Sequence, residues 1–236
     1  MLTRVRARLR WSVADALRRH RILELRGVRI GLTEDWATRT VRAAMYDGSY
    51  ESLEARIIEA TMRPDDSVVE IGCGIGFLAT IAARTVAGVV HCYDANPAMV
   101  AATLATIDRN NAAATATMAV LRHNPTVSTA AFYVRHEFWS SSLTPDSRAT
   151  AIEVPVLDFI DEITKHDASY LIVDIEGGET DLLLGPLPAC VRRLCVECHP
   201  AVSLPAAQNA MLSSLLSQRF VLHLNHSYPP VLYFER

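Results

Sequence analysis

Lysine is almost missing from this chain: Lys165 is the only one, although 23 residues are basic. The near-total preference for arginine reflects a GC-rich coding genome and not a function. Long apolar runs are missing too. None approaches the roughly 20 residues that span a bilayer, and the N-terminus lacks the apolar stretch of a secretory signal. A cytoplasmic protein with no membrane segment is therefore expected. The five cysteines, an odd number, give no disulfide framework. Cys73 and Cys92 fall on expected strands or strand ends, where a free thiol packs as a small apolar group. The chain has no internal repeat and no low-complexity tract. A formal net charge of -3 gives no global attraction for a polyanion.

What remains is an ordinary globular composition. Half of the 236 residues are hydrophobic, which suits one α/β domain with a short extension. Nine arginines fall within residues 1–30, opposed only by Asp15 and Glu24. Val5, Leu9, Val13, Ala16, Leu17 and Ile22 are interleaved at roughly helical spacing. An amphipathic helix or helix pair is predicted there. Residues 1–45 thus read as a helical extension, either a cap over the site or a contact in a homo-oligomer. Residues 46–236 read as the catalytic domain. An arm that binds RNA phosphates is the alternative use of the arginines.

From residue 51 the pattern alternates. Helices are expected over residues 51–62, 77–85, 97–109, 158–164 and 204–217, with one more ending at Gly185-Pro186. Short apolar strands are expected at 67–71, 89–93, 116–120, 131–134, 152–157, 170–174 and 194–198. Two last strands, at 220–224 and 231–234, are joined by a short turn that contains proline, so they run antiparallel. The alternation predicts an α/β, Rossmann-like and mostly parallel sheet with right-handed crossovers and a C-terminal antiparallel hairpin. Ligands of such sheets lie beyond the carboxyl ends of the strands.

Four segments carry chemistry. The first is Glu70-Ile71-Gly72-Cys73-Gly74-Ile75-Gly76. Its glycines let the backbone turn sharply and approach a ligand. The G-x-G-x-G spacing differs from the G-x-G-x-x-G of nicotinamide sites. Glu70 suits a cationic ligand and would repel a pyrophosphate, which favours S-adenosylmethionine over a dinucleotide. The second is Asp94, about 20 residues past the glycine turn, where an acidic side chain bonds both ribose hydroxyls. Asn96-Pro97 beside it opens the next helix. The third is Asp174-Ile175-Glu176-Gly177-Gly178-Glu179, three carboxylates crowded after a strand, where mutual repulsion raises at least one pKa. Asp174 and then Glu176 are the candidates for taking or orienting an acceptor proton, while Glu179 complements the positive start of a helix. The fourth is Cys195-Val196-Glu197-Cys198-His199-Pro200. Residues i and i+3 of a strand point to opposite faces, so structural zinc is rejected. His199 is a candidate general base as a neutral imidazole. A magnesium site formed by Asp174, Glu197 and His199 is the lesser alternative, and no resident metal is expected.

Taken in this order, the four segments resemble the FkbM family of S-adenosylmethionine-dependent methyltransferases, from about Tyr46 to Pro200. The resemblance includes Gly48-Ser49-Tyr50-Glu51, Tyr93-Asp94-Ala95-Asn96-Pro97, Ala119-Val120, Phe132-Tyr133-Val134, Ser140-Ser141-Ser142-Leu143, Val154-Pro155-Val156 with Asp158, and Glu197-x-His199-Pro200. Family members often have aspartate at the position of Glu70 and alanine-asparagine at Cys73-Gly74. The resemblance implies methylation of an oxygen, commonly a hydroxyl of a sugar or secondary metabolite; the negative net charge speaks against a nucleic-acid partner. It also implies that Tyr50, Glu51 and the serine loop lie near the cofactor or acceptor. The expected cofactor contacts are Tyr50, Glu51, Glu70, Gly72, Cys73, Gly74, Gly76, Asp94, Ala95, Asn96, Ala119 and Asp174. Two rivals remain, a methyltransferase directed at RNA or peptide and a nicotinamide-dependent reductase.

Overall fold

The computed structural model describes residues 22–32 and 36–236. It opens with a two-stranded hairpin, β1 (Ile22–Leu25) and β2 (Val28–Gly31), paired antiparallel. The expectation of helix through residue 30 is overturned for this stretch; residues 1–21 lie outside the described residues. The reason is local. Arg26 and Gly27 both take positive φ, 46° and 76°, the two-residue turn that matches the twist of a hairpin. Inward Val28 and Ile30 alternate with outward Arg29, a strand period that the many arginines hide. The hairpin is tied down from behind: Arg84 donates to the carbonyls of Arg26 and Gly27 at 3.0 and 2.7 Å. Asn110 exchanges two hydrogen bonds with the Arg29 backbone, both 2.9 Å.

Helices α1 (Arg39–Asp47) and α2 (Ser52–Thr61) lead into the main sheet. Its strands are β3 (Val68–Ile71), β4 (Val90–Asp94), β5 (Ala114–Met118), β9 (Tyr170–Val173), β10 (Arg193–Glu197), β11 (Val221–Leu222) and β12 (Val231–Glu235). Their order is β11-β12-β10-β9-β3-β4-β5. All neighbours pair parallel except β12, which runs antiparallel to both β10 and β11. The mostly parallel sheet and its antiparallel C-terminal pair are as expected. A smaller sheet of β6 (Val120–Arg122), β7 (Thr129–Val134) and β8 (Thr150–Asp158) is inserted after β5, in the order β6-β8-β7.

Helices cover both faces of the main sheet. Along β9, Tyr170 and Ile172 point to one core cluster, while Leu171 and Val173 point to the other, as the two-residue strand period requires. The first cluster packs under α2, α3 (Phe77–Ala82) and α4 (Pro97–Asn110), and it takes in the hairpin through Val28 and Ile30. The second packs under α5 (Phe159–Lys165), α6 (Glu179–Leu182) and α7 (Pro205–Ser217). Beneath the sheet, the Arg193 guanidinium, almost wholly buried, pairs with the buried Asp66 carboxylate. No described helix is long and apolar enough to cross a membrane.

From β3 the chain steps one way to β4 and β5, and later the other way to β9 and β10. The order reverses between β3 and β9, and crevices open at such points beyond the carboxyl ends.

Candidate active site

The crevice is a cavity of about 1060 Å³. Its floor begins where β3 ends. Gly72, at φ +86°, donates to the Tyr93 carbonyl at 2.8 Å, and a Cβ there would meet the Asp174 carbonyl oxygen at 1.7 Å. Only glycine lets the turn lie flat against the segment after β9. Gly74 faces the cavity, with the Tyr50 hydroxyl, Glu51 Oε1 and a Phe138 ring carbon 3.4–3.6 Å from where its Cβ would stand. Gly76 opens α3 and packs on Thr103, away from the cavity.

Asp94 holds this turn in place. One carboxylate oxygen accepts from the Gly74 N–H at 3.0 Å and the other from the Asn96 N–H at 2.8 Å. Asn96 in turn caps α4 through the Ala98 N–H at 3.0 Å. Each Asp94 oxygen keeps a further lone pair, so the carboxylate can still accept two hydroxyls. Burial raises its pKa to about 6, against the pull of the two backbone donors, so it is ionised at neutral pH.

Of the expected cofactor contacts, Tyr50, Glu51, Gly72, Gly74, Asp94, Ala95, Asn96, Ala119 and Asp174 line the cavity. Glu70, Cys73 and Gly76 do not. Glu70 lies beneath the floor at 1% exposure and accepts from the Cys92 thiol at 3.4 Å. Burial raises its pKa to about 8. It is mostly protonated at neutral pH, so it presents no bare charge to a cationic ligand. The Cys73 side chain turns away as well, into a buried contact with Thr103 Oγ1 at 3.5 Å. Thr103, which also donates to the Gly74 carbonyl at 2.9 Å, gave no signal in the sequence, because its role depends on how α4 packs.

The far end of the cavity holds the acid cluster. Asp174, Glu176 and His199 come together there: His199 Nε2 is 3.4 Å from Asp174 Oδ1 and 3.6 Å from Glu176 Oε2. Burial raises the Asp174 pKa well above the usual range, helped by Glu197, Glu51, Glu176 and Glu54. For His199 burial opposes protonation, but contact with Glu179 and the charges of Glu176, Glu179 and Glu197 outweigh it, and its pKa rises. The carboxylates around it thus make the ring a stronger base than a free imidazole. Glu54, one turn after Glu51, was not singled out in the sequence; it also lines the cavity, and burial lifts it to about 7. Asp174, Glu197 and His199 offer three donor atoms within 4.8 Å of one another.

Two of these carboxylates sit on unusual backbone. Glu51 and Glu176 take positive φ, 44° and 48°, without being glycine. Such conformations cost of order 1–3 kcal/mol and collect at functional sites. The roof is the segment after β7, where Phe138, Trp139, Ser141, Ser142, Leu143 and Thr144 line the cavity. Phe138 packs edge-on against Trp36, with ring centres 6.2 Å apart.

The model of one family, ribosomal protein L11 methyltransferase (PrmA), matches residues 51–134, the stretch that builds the glycine turn, Asp94 and the first wall. The fold is that of a class I S-adenosylmethionine-dependent methyltransferase. Among solved structures, the chain is similar to a magnesium protoporphyrin IX methyltransferase from Synechocystis PCC 6803 with bound S-adenosylmethionine. Identity is 13%, 84% of this chain and 85% of that one are covered, and the TM-score is 0.48. A ribosomal protein L11 methylase from Lactobacillus delbrueckii subsp. bulgaricus shares 11% identity over 79% of this chain and 77% of its own, with a TM-score of 0.46. A precorrin-6y C5,15-methyltransferase from Geobacter metallireducens GS-15 shares 11% over 73% and 72%, at 0.45. No curated protein matches the chain.

The residues present fit S-adenosylmethionine. Asp94 has acceptor capacity left for a ribose. The Tyr50 hydroxyl and Glu51 Oε2 are buried at the glycine turn with no hydrogen-bond partner among the described residues. An amino acid ammonium would satisfy such atoms, whose burial unpaired is costly.

Proposed function

We propose that the chain is an O-methyltransferase of the FkbM kind, acting on a hydroxyl of a small acceptor such as a sugar or secondary metabolite. The observation that supports it is the contact of His199 with Asp174 and Glu176, all three lining the cavity beyond the glycine turn. S-adenosylmethionine, when bound, supplies a methyl group activated by its sulfonium. The chain's own residues do the rest. Asp94, Tyr50 and Glu51 hold the nucleoside and amino acid ends. Asp174, Glu176 and His199 orient the acceptor hydroxyl and receive its proton, a contribution typically worth 10²–10⁴-fold in rate. Alignment in a walled cavity supplies much of the remainder.

The acidic lining also bears on the acceptor. Among the described residues, Glu51, Glu54, Asp94, Asp174, Glu176, Asp181 and Glu197 line the cavity, against Arg122 as the one lining arginine or lysine. Such a wall disfavours a phosphate-rich acceptor and admits a neutral or cationic one. A protein-directed reading takes support from the family match to a ribosomal protein methyltransferase. That match spans the cofactor side and stops before the roof and the acid cluster, so it bears on the cofactor more than on the acceptor.

Calorimetric titration with S-adenosylhomocysteine and with NADH tests the cofactor, and uptake of NADH alone would overturn the reading. Transfer of labelled methyl from S-adenosylmethionine to a panel of hydroxylated sugars, natural products and peptides tests the acceptor. Alanine at Asp174 is expected to abolish turnover while leaving a folded chain.

A further inference from the structure

Glu179 opens α6, where an acidic residue has a plain role facing the helix N-terminus. That role does not account for its placement. The helix has only 4 residues, so its dipole is slight, yet the Glu179 side chain is 0% exposed. A carboxylate leaves water at such cost only when its oxygens find partners. Here both do. Oε2 accepts from the Gly177 N–H at 2.8 Å, and Oε1 accepts from the His199 N–H at 2.9 Å. Oε1 also stands 3.4 Å from His199 Nδ1.

Nδ1 is buried and has no hydrogen-bond partner among the described residues. Among those residues Glu179 is the one carboxylate within 4.0 Å of it. On the opposite edge of the ring, Nε2 faces Asp174 and Glu176, which line the cavity while Glu179 does not. Glu197, at the end of β10, is the remaining charged group that acts on the ring. The imidazole is thus clamped between a buried carboxylate behind and two cavity carboxylates in front.

We infer that Glu179 is a positioning residue, which fixes the His199 ring with its proton on Nδ1 and its Nε2 lone pair toward the acceptor. The inference rests on the proposed role of His199 as proton acceptor. When the acceptor O–H bond breaks, the proton moves to Nε2, and the ring becomes an imidazolium whose charge Glu179 balances. The arrangement is the one by which a buried acid sets the tautomer of a catalytic histidine. Burial opposes ionisation of Glu179, but His199 and the backbone donors outweigh it and keep its pKa below the usual range, as a permanent counter-charge requires.

The test uses the full chain labelled with ¹⁵N, with His199 assigned by its disappearance in His199→Asn. Long-range ¹H–¹⁵N correlations then report ring tautomer and titration without any acceptor. In the wild type the neutral ring is expected to carry its proton on Nδ1. In Glu179→Gln the side chain loses its charge and one of its two acceptor oxygens, so the preference for Nδ1 should weaken and the Nε2 tautomer should gain population. Loss of the negative neighbour lowers the titration midpoint, by about one unit. Binding of S-adenosylhomocysteine should stay within about twofold, since Glu179 lies outside the cavity. A folded Glu179→Gln chain with unchanged midpoint and tautomer overturns the inference. If that variant does not fold, the wild-type spectrum decides alone, because a neutral ring protonated at Nε2 overturns it equally. The underlying reading fails differently: wild-type protein that ignores S-adenosylhomocysteine, or His199→Asn with undiminished methyl transfer, sinks it whatever the tautomer.

Discussion

Glu70 shows what a buried acid does to stability. Its folded pKa of about 8 lies above its ordinary 4.5, so the folded chain holds the proton more tightly than the unfolded one. The stabilisation is full below the ordinary pKa and is lost as pH rises toward 8. Glu70→Gln keeps a neutral group and an acceptor for Cys92. Thermal melts should find the two proteins alike near pH 5 and the variant more stable at pH 8, with each kcal/mol worth about 2–4 °C in a chain of this size. Asp94 gives the opposite lesson, because its charge is what a ribose needs. With its pKa near 6, affinity for S-adenosylhomocysteine should fall about tenfold between pH 7 and pH 5, measured by calorimetry. Residues whose part follows from spacing along the chain could be read directly: Asp94, the Asn96 cap, Gly72 and Gly74. The burial of Glu70 and the support from Thr103 could not, since strand register and helix packing decide where those side chains point.

At the scale of elements, the hairpin β1–β2 is the part the sequence concealed. Arginines on its outer face imitate a polar helix stripe, and only the Arg26-Gly27 turn gives the strand pair away. Its contribution to the core is nonetheless large. Ile30 is 0% exposed and belongs to the same cluster as Phe77 and Met99. Ile30→Ala should therefore cost about 2–5 kcal/mol in urea unfolding, whereas removing the outward Arg29 side chain should change little. The alternating strands and helices of the main sheet were easier, because apolar runs between glycine and proline leave few other solutions. Of the inserted sheet, β7 and β8 were visible as single strands, whereas β6 was merged with the end of β5, because its partner strand lies more than 30 residues on, as Val120 paired with Val156 shows.

For the molecule as a whole, one buried ion pair ties the entry of β3 to the start of β10, two strands away. Arg193 and Asp66 are 3% and 0% exposed. Truncating Asp66 to alanine leaves the buried guanidinium with Glu235, 3.3 Å from its Nε, as its remaining counter-charge and should cost up to about 3–5 kcal/mol, read as a fall in the urea midpoint. Ligand linkage acts at the same scale: S-adenosylhomocysteine at 100 times its dissociation constant should add about 2.7 kcal/mol to unfolding, while NADH should leave the melt unmoved. That residues 1–45 form an arginine-rich cap or dimer contact is a separate proposal, and salt-dependent retention on RNA would instead favour the rival phosphate-binding arm.

The two walls of the cavity come from different stretches of chain. The floor is the sheet itself, whose glycine turn is jammed against Asp174 and tolerates no added atom. The roof hangs on the segment between β7 and β8 and touches the floor through side chains. Substitutions in the roof should therefore leave the floor undisturbed, so the cavity can be reshaped by rewriting one loop.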